Sequence, residues 1–536
     1  MPYILDIIEI FSAHTHGERK APISLLVLLV GFPVAAGLCR KLYAIWINSP
    51  SLPPSPPKHW FWGNKTFLGQ PHRHVQLGTK YKRDLGDIIS AVTPTNVNIY
   101  LNTMELATGL LENDTSVTSD RPRDVMTIEL LGWGTSPAFR NHDEVHKQMR
   151  RVLASALHPL AARSYASQHV ETTLTLLREI ASNPSSFTKS IDAAIGTFTV
   201  QLAYGYSPKT QKDPMLALIH DATRYATTSL ANHWLVNDFP VLKHLPSWFP
   251  GAGFQRFAQK GHEARTRYVD TMFNIVLEQV RQGRVEQPSY VSGLLESKGG
   301  ANANSDDIYL IKCTGASIFS AGATTTSSLI KSFFLVACLY PEAVKKAQAE
   351  IDSVVGRERI PSLQDRPALP YTDALVQEVM RMYPPLPLGL PHTTSEDIEF
   401  QGYRIPKGST INANVWAILR DPNHFSLPHI FNPSRFLGPK PELDPRKFIF
   451  GFGRRVCPGL HVANNSAWIT CAGILSVFDI QAGPELAAKV ASLGGRESER
   501  LYELTVPYGM GDPRPFDCKI KPRDLAAVSI LDNSAE

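Results

Sequence analysis

The chain has 536 residues, of which 43% are hydrophobic and 19% are charged, an ordinary composition for a folded globular protein. Its formal net charge of +5 is small for this length and argues against a nucleic acid partner. The cysteines are scattered, with no Cys-x-x-Cys pair and no histidine spacing suited to zinc, which favours a reducing compartment. No internal repeat and no long low-complexity linker divides the chain after residue 60, so one large domain is predicted.

The amino-terminal part of the chain holds an apolar run that is long enough to cross a bilayer. Residues Ala21 to Cys39 are uncharged, and Arg19-Lys20 and Arg40-Lys41 flank them. About 20 apolar residues span the hydrocarbon core as a helix, so residues 21–41 are predicted to be a transmembrane anchor. Residues 1–20 are too long and too acidic for the start of a cleaved signal peptide. A buried hairpin of core helices is the alternative.

A proline-rich segment follows this run. The stretch Asn48 to Pro57 favours a stiff, extended backbone, and we assign residues 42–62 to a hinge. Residues 63–520 are assigned to a single folded domain and residues 521–536 to a carboxy-terminal tail. Within the domain, Tyr81 to Leu101 is predicted to form short strands around turn residues.

The second half of the domain is predicted to be mainly helical. A long helix starts near Ser305, where acidic residues occupy the first turn, and runs to about Tyr340, a length of about 50 Å. Pro341 begins the next helix, since proline is tolerated in a first turn. Further helices are predicted from about Tyr371 to Tyr383, before a proline pair, and from Leu460 to about Val477. Short strands are predicted at Ile398–Phe400, Tyr403–Ile405 and Thr410–Asn414. The predicted fold class is therefore mainly α with a small β portion.

The segment Phe450-Gly-Phe-Gly-Arg-Arg-Val-Cys-Pro-Gly459 carries the strongest chemical signal. Gly453 and Gly459 allow tight turns and close approach to a flat ligand. The start of the helix after Cys457 offers free N–H groups and the positive end of a dipole, which favour a thiolate. Arg455 can neutralise an anionic group beside it. This set suits a haem iron held by one cysteine sulfur. A buried structural cysteine after a glycine-rich turn is the alternative.

These residues resemble the haem-binding signature of the cytochrome P450 family, Phe-x-x-Gly-x-Arg-x-Cys-x-Gly. Phe450, Gly453, Arg455, Cys457 and Gly459 match it without a departure. The resemblance covers residues 50 to about 520 and implies a cytochrome P450-like fold with haem b, whose iron takes Cys457 as axial ligand. The chain looks most like fungal microsomal members that act in secondary metabolism or xenobiotic oxidation.

Three charged residues resemble the ion-pair set of this family. Glu378 and Arg381 match its Glu-x-x-Arg helix, and Arg435 matches its Pro-x-Arg-Phe segment. The resemblance implies a buried network that fixes the loop holding Cys457, and buried charges must be paired to be tolerated. A solvated surface pair is the ordinary alternative for any Glu-x-x-Arg.

The segment Ala321 to Thr326 resembles the oxygen-binding part of the family's long helix. Glycine and three threonines are poor helix formers, so a local distortion is predicted there. Thr325 matches the threonine that handles oxygen and protons. Thr324 stands where most members carry an acid, so either Thr324 with ordered water delivers protons or another acid approaches in space. The alternative is simple packing against another helix.

Further positions are implied by the same resemblance. Arg150 matches the arginine of a Trp-x-x-x-Arg helix that holds a haem propionate, although His146 replaces the tryptophan. His392 lies where many members place a basic propionate ligand, and Arg455 is the third candidate. The apolar loop Pro246 to Phe254 resembles the region that lines the substrate entrance and touches the membrane, with a buried inter-helix turn as its alternative.

The resemblance implies a monooxygenase that is anchored by one span in the endoplasmic reticulum, with its domain on the cytosolic side. It would insert one oxygen atom of O₂ into a lipophilic molecule such as a terpenoid, steroid, polyketide or aromatic compound. Electrons would come from an NADPH-dependent flavoprotein reductase, which Arg446, Lys447 and Arg454 could meet. The sequons at Asn64, Asn113 and Asn464 are then expected to stay unmodified. The alternatives are a redox-neutral dehydration or rearrangement, and a haem-binding membrane protein without turnover.

Overall fold

The structure is a computed structural model that describes residues 51–60, 62–208 and 213–533. The segment 1–20, the predicted anchor 21–41 and the first part of the hinge lie outside the described residues. The rest of the hinge packs on the domain: Leu52 is buried, and the carbonyl groups of Pro53 and Pro54 accept hydrogen bonds from Ser90.

The described residues are mainly helical, as the sequence predicts. Twelve helices of eight or more residues are found in them: α1 Glu144–Leu157, α2 Ala166–Ser182, α3 Phe187–Tyr204, α4 Pro214–Ala231, α5 Gly253–Arg281, α6 Tyr290–Ser297, α7 Ser305–Leu339, α8 Pro341–Val354, α9 Pro370–Met382, α10 Leu460–Val477, α11 Pro484–Ser492 and α12 Leu525–Asn533.

Helix α7 is the central element of the domain. Its N-cap is Asn304, whose side chain accepts a hydrogen bond from the Asp307 amide, and it ends at Leu339, two residues before Pro341. Its 35 residues agree with the predicted length. It is the one described helix that is long and apolar enough to cross a membrane, but most of it is buried by other helices. Its apolar composition therefore reflects its place in the core.

The strands form three small sheets. They are β1 Ile88–Val92, β2 Val97–Leu101, β3 His392–Thr393, β4 Ile398–Phe400, β5 Tyr403–Ile405, β6 Thr410–Ala413, β7 Phe478–Ala482 and β8 Cys518–Pro522. The largest sheet has the order β1-β2-β6-β3, in which β2 and β6 run parallel and the other neighbours antiparallel. The strands β4 and β5 pair with each other, as do β7 and β8.

The predicted strand region from Tyr81 to Leu101 is only partly correct. Leu77–Tyr81 forms a π-helical turn and Lys82–Leu85 an α-helical turn, and the first strand begins at Ile88. At the other end, the segment assigned to the tail contains the end of β8 and α12, whose Ala527 and Ile530 are buried in the core.

The main hydrophobic core lies where α2, α3, α7, α8, α9 and α10 meet. Trp468 on α10 and the neighbouring Phe333 and Phe334 on α7 are fully buried there. Full burial of a large apolar side chain contributes roughly 2–3 kcal/mol. These contacts hold α10, which directly follows the Cys457 segment, against α7.

The ion-pair network predicted from the sequence forms in the core. Arg381 donates from Nε and Nη2 to the two carboxylate oxygens of Glu378 at 2.7 and 2.8 Å, and Arg435 Nε donates to Glu378 Oε1 at 3.1 Å. Glu378 and Arg381 are completely buried. Arg381 Nη1 also donates to the carbonyl oxygens of Leu419 and Pro428, so the network ties α9 to the loops that precede the cysteine segment.

We expect Glu378→Gln to lower the free energy of unfolding by about 3–5 kcal/mol, since it leaves the buried guanidinium group of Arg381 without its carboxylate and removes one of the two carboxylates that pair with Arg435. Chemical denaturation followed by circular dichroism measures this. Glu144→Gln is the matched control, because Glu144 pairs with Lys147 at the same i,i+3 spacing on the surface. That change should cost less than about 1 kcal/mol. Equal losses in the two variants would contradict the assignment.

Candidate active site

The cysteine segment is a compact loop between a short helical turn, Arg446–Ile449, and α10. The amide of Cys457 donates to the carbonyl oxygen of Phe450 at 2.7 Å, which closes the loop. Gly453 has a φ of +52°, and a Cβ atom there would overlap the carbonyl oxygen of Leu111. A glycine is therefore required at this position for two independent reasons. A Cβ atom at Gly459 would lie 3.9 Å from the Cys457 sulfur, so this glycine keeps one side of the sulfur open.

Cys457 is half-buried. Protein atoms surround it on all sides, yet part of its surface stays accessible to a solvent molecule. Burial raises the pKa of the Cys457 thiol, while the Gly459 amide and the charge of Arg150 lower it. The Gly459 amide at the helix start thus favours the thiolate, as predicted, but burial outweighs both this amide and the charge of Arg150. A metal cation on the sulfur would reverse this balance, because a coordinating thiol is deprotonated.

Two predicted site residues contact this loop. Arg150, on α1, donates from Nη1 to the carbonyl oxygen of Val456 at 2.7 Å, directly before the cysteine. Arg455 is buried and donates to the carbonyl oxygens of Ser119 and Arg140 at 2.6 and 2.7 Å. The loop is thereby fastened to the segment that leads into α1.

His146 occupies the tryptophan position of the family motif and contacts Arg455. Arg455 Nη1 donates to His146 Nε2 at 2.8 Å, so Nε2 carries no proton. Burial and the charge of Arg455 lower the pKa of His146 to about 3. The imidazole is therefore neutral at physiological pH, and the replacement keeps a polar contact at this place.

His392 lies on β3 and is buried near the same arginines. Its Nδ1–H donates to the carbonyl oxygen of Thr118 at 2.8 Å. Burial, followed by the charge of Arg121, lowers the pKa of His392 to about 3. A neutral imidazole held in this way can offer only its Nε2 to a further group.

Arg121 is a site residue that the sequence analysis missed. It is buried, and it donates to the carbonyl oxygens of Ala138, Leu390 and Pro391 at 2.9, 3.0 and 2.7 Å. Burial and the charge of Arg455 lower the pKa of Arg121 to about 9. Its neighbour Arg123 is exposed and pairs with Glu129. No pattern in the local sequence distinguishes the buried arginine from the exposed one.

The residues around Cys457 fit a group that carries negative charge. Burial, followed by the charge of Arg455, lowers the pKa of Arg121. Burial also lowers the pKa of Arg455, where the charge of Arg150 adds to the effect and Asp120 and Asp143 oppose it. Buried cations are stable only when they are paired. The donor set thus matches the two propionates of a haem whose iron binds the sulfur.

The middle of α7 faces an open space. Ala321 is exposed although the helix is buried on both sides of it, and Gly322 to Thr325 are partly exposed. The Thr325 hydroxyl donates to the carbonyl oxygen of Ala321 at 2.9 Å. The helix is α-helical throughout, so the predicted local distortion is not present. Thr324 is also partly exposed on this part of α7. It is the position at which most members of the family carry an acidic residue.

Residues 53–490 match the family described as Cytochrome P450. The chain belongs to the cytochrome P450 family. Three fungal relatives show how far the similarity extends. Cytochrome P450 monooxygenase 208 of Postia placenta is 34% identical over 95% of this chain and 98% of its own length. Cytochrome P450 monooxygenase claR of Ampulloclitocybe clavipes is 33% identical over 90% and 88%. Tryptamine 4-monooxygenase of Psilocybe cyanescens is 31% identical over 93% and 98%.

The family interpretation of the sequence is thereby confirmed, and the chain is a cytochrome P450 monooxygenase. Its mainly helical architecture with small sheets agrees with the cytochrome P450 fold. Membership in this family implies a haem-thiolate centre. The part of the chain described here holds no cluster of histidine, cysteine and acidic side chains that would suit another metal site.

We expect Gly453→Ala to reduce the haem content of the purified protein, because the added Cβ atom overlaps a backbone carbonyl that cannot move aside. Gly438→Ala is the matched control: Gly438 also has a positive φ, +84°, but open space surrounds it. The control should lose about 1–2 kcal/mol of stability through backbone strain and keep its haem. Absorbance per protein measures the haem content, and similar losses in both variants would contradict the geometric reason.

Proposed function

We propose that this cytochrome P450 is a membrane-anchored haem-thiolate monooxygenase that inserts one oxygen atom of O₂ into a lipophilic small molecule. The net reaction takes substrate, O₂, two electrons and two protons to hydroxylated product and water. The observation that carries the proposal is the Cys457 loop, whose partly accessible sulfur lies beside a cluster of buried guanidinium groups.

The residues of the site take separate roles in this proposal. Cys457 holds the iron, and Phe450, Gly453 and Gly459 shape the loop around it. The haem, when bound, supplies the activation of dioxygen. The cations and His392 orient the propionates and exclude water from them. Thr325 holds a proton at its Oγ1 atom at the wall of the open space, where Ala321 leaves room for small ligands. The propionate ligands are Arg121, Arg150, His392 and Arg455.

The electron donor is proposed to be an NADPH-dependent flavoprotein reductase. Lys447 and Arg454 are exposed beside the cysteine segment and suit an acidic partner surface. Arg446 suits it less than the sequence predicts, because it pairs with Asp444 at 2.7 Å and reaches Asp373 at 3.5 Å.

The substrate class stays broad: terpenoids, steroids, polyketides and aromatic compounds. The relative from Psilocybe cyanescens, named for tryptamine, adds indole amines to the compounds that should be tested first. The absence of an acid at Thr324 keeps redox-neutral rearrangement as the second candidate. Consumption of a test compound without NADPH would favour that reaction.

Two observations support a membrane location. Residues 21–41 have the length and composition of an anchor. The loop between α4 and α5 exposes Trp248, at 78% of its surface, together with Val241 and Phe249. The alternative of a buried inter-helix turn therefore does not hold for this loop, and its exposed aromatic residues suit a bilayer interface.

The reduced protein in microsomes should give the far red-shifted carbon monoxide band of a thiolate-ligated haem. Cys457→Ser should lose this band, because a serine hydroxyl is not a thiolate ligand. Cys471→Ser is the matched control, since Cys471 is buried on α10 away from the loop. A folded, haem-loaded wild-type protein without the band would remove both the axial assignment and the monooxygenase function.

We expect bromine-labelled lipids to quench the fluorescence of Trp248 in the full-length protein reconstituted into vesicles. Trp248→Phe should lower the quenching, and the part that remains is expected from Trp46 beside the proposed anchor. Trp416→Phe should change it little, because Trp416 is buried inside the domain. Unchanged quenching in the Trp248 variant would show that this loop does not enter the membrane.

A further inference from the structure

The side of α7 that carries the threonines also carries a serine without a partner. Ser328 follows Thr324 by four residues and Thr325 by three, so it shares a helix face with both, at about 5–6 Å between Cβ atoms. Ser328 is 1% exposed. Its hydroxyl makes no hydrogen bond of normal geometry to any described residue. A buried hydroxyl without a partner costs free energy and points to a function.

The carboxyl group of Asp512 lies beside this serine. The backbone of its loop is fixed, because the Gly511 amide donates to the carbonyl oxygen of Pro385 and the Val506 amide donates to that of Asp512. A Cβ atom at Gly511 would lie 2.5 Å from the carbonyl oxygen of Pro384, so this glycine permits the close approach. Asp512 Oδ1 is buried and makes no hydrogen bond of normal geometry to the described residues either.

The charges around Asp512 connect it to the protein surface. Burial raises the pKa of the Asp512 carboxyl, a hydrogen bond from the Ser328 hydroxyl and the charge of Lys331 lower it, and the charge of Asp192 raises it. Lys331 lies three residues after Ser328 on α7 and pairs with Asp192 of α3 at 2.6 Å. The Asp192 side chain is 38% exposed. Polar groups therefore follow one another from solvent to the threonines, through Asp192, Lys331, Asp512 and Ser328.

We propose that Asp512, acting through Ser328 and Thr325, delivers the protons of the monooxygenase reaction in place of the acid that Thr324 lacks. The O–H bond of Asp512 breaks as its proton passes to Ser328 Oγ, the serine hydroxyl passes its own proton to Thr325 Oγ1, and the threonine hydroxyl releases its own proton to the oxygen atom that leaves as water. Asp512 then regains a proton from water near Lys331 and Asp192. Two protons are delivered in each turnover, and the two electrons come from the reductase.

This inference rests on the proposed function. The rival role for Asp512 is to bind the ammonium group of a substrate, and the measurements below distinguish that role from proton delivery. Asp512→Asn keeps the shape of the side chain and removes the proton. Ser328→Ala removes the next group in the route. Glu503→Gln is the matched control, because Glu503 lies on the same carboxy-terminal segment and pairs with Arg500 at the surface.

The first measurement is the stoichiometry of NADPH consumed, O₂ consumed and hydrogen peroxide released by the haem-loaded protein with its reductase, with and without tryptamine. In Asp512→Asn, the rate of water and product formation should fall about tenfold or more, with the missing oxygen recovered as peroxide. Ser328→Ala should behave in the same way, and the double variant should be no worse than Asp512→Asn, since both residues serve one route. Glu503→Gln should match the wild type.

The second measurement does not depend on turnover. The infrared C=O stretch of a protonated carboxyl should persist in the wild type to a higher pH than that of an ordinary aspartic acid, because burial raises the pKa of Asp512, and this part of the signal should be absent from Asp512→Asn. The melting temperature of Asp512→Asn should be equal or higher, because the substitution removes an acid whose Oδ1 atom is buried and whose ionised form is disfavoured by burial. A clear drop in melting temperature or haem content would assign Asp512 a structural role and overturn the relay.

The remaining outcomes are also decisive. Unchanged stoichiometry in Asp512→Asn overturns the relay. Weaker tryptamine binding in a spectral titration, with unchanged stoichiometry, makes Asp512 a substrate-binding residue and overturns it as well. If the wild-type protein lacks the carbon monoxide band, the proposed function itself is wrong. If it has the band, the variants test the role of Asp512 alone.

Discussion

The buried carboxylate of Glu378 is the contact on which the rest of the site depends. It accepts two hydrogen bonds from Arg381, one from Arg435 and one from the Asn432 amide, so one side chain joins a helix to a loop far along the chain. Each guanidinium group also satisfies backbone carbonyls that would otherwise be unpaired in the core. Because the side chains of Glu378, Arg381 and Arg435 are buried, water cannot replace these ion pairs. The position of the cysteine segment therefore depends on a set of charged side chains that take no part in the chemistry.

The charges around the cysteine, unlike those around Glu378, are not balanced within the protein. Around the cysteine, positive charge is collected without enough carboxylate to balance it, and the arginines are held instead by backbone carbonyl groups. Such an arrangement is costly in the empty protein and becomes favourable when an anionic group enters. The thiol shows the same dependence, since burial raises its pKa until a cation binds the sulfur. The arginines need negative charge, and the thiol needs a cation before it ionises. A cofactor with a central cation and peripheral carboxylates supplies both.

Much of the fold could be predicted from local sequence patterns. The helix α7 was predictable from its acidic first turn and Pro341, and α10 and the strands β4 and β5 from the glycine and proline residues that separate them. The π-helical turn at Leu77–Tyr81 was not, because its sequence carries no distinct signal. Among the site residues, the sequence analysis identified those that belong to a motif of fixed spacing. Arg121 and Asp512 were missed because their burial and neighbours arise only from the folding of distant segments.

The sheet β1-β2-β6-β3 joins segments that lie far apart in the sequence, since Asn98 on β2 faces Thr410 on β6. More than 300 residues separate these partners. At a synthesis rate of about 5–20 residues per second, the edge of β2 waits roughly 15–60 s on the ribosome for its partner strand. During that time its backbone amide and carbonyl groups offer an open strand edge to other chains. The largest sheet of this enzyme therefore cannot be completed until residues 410–413 have been synthesised, long after β2 has left the ribosome.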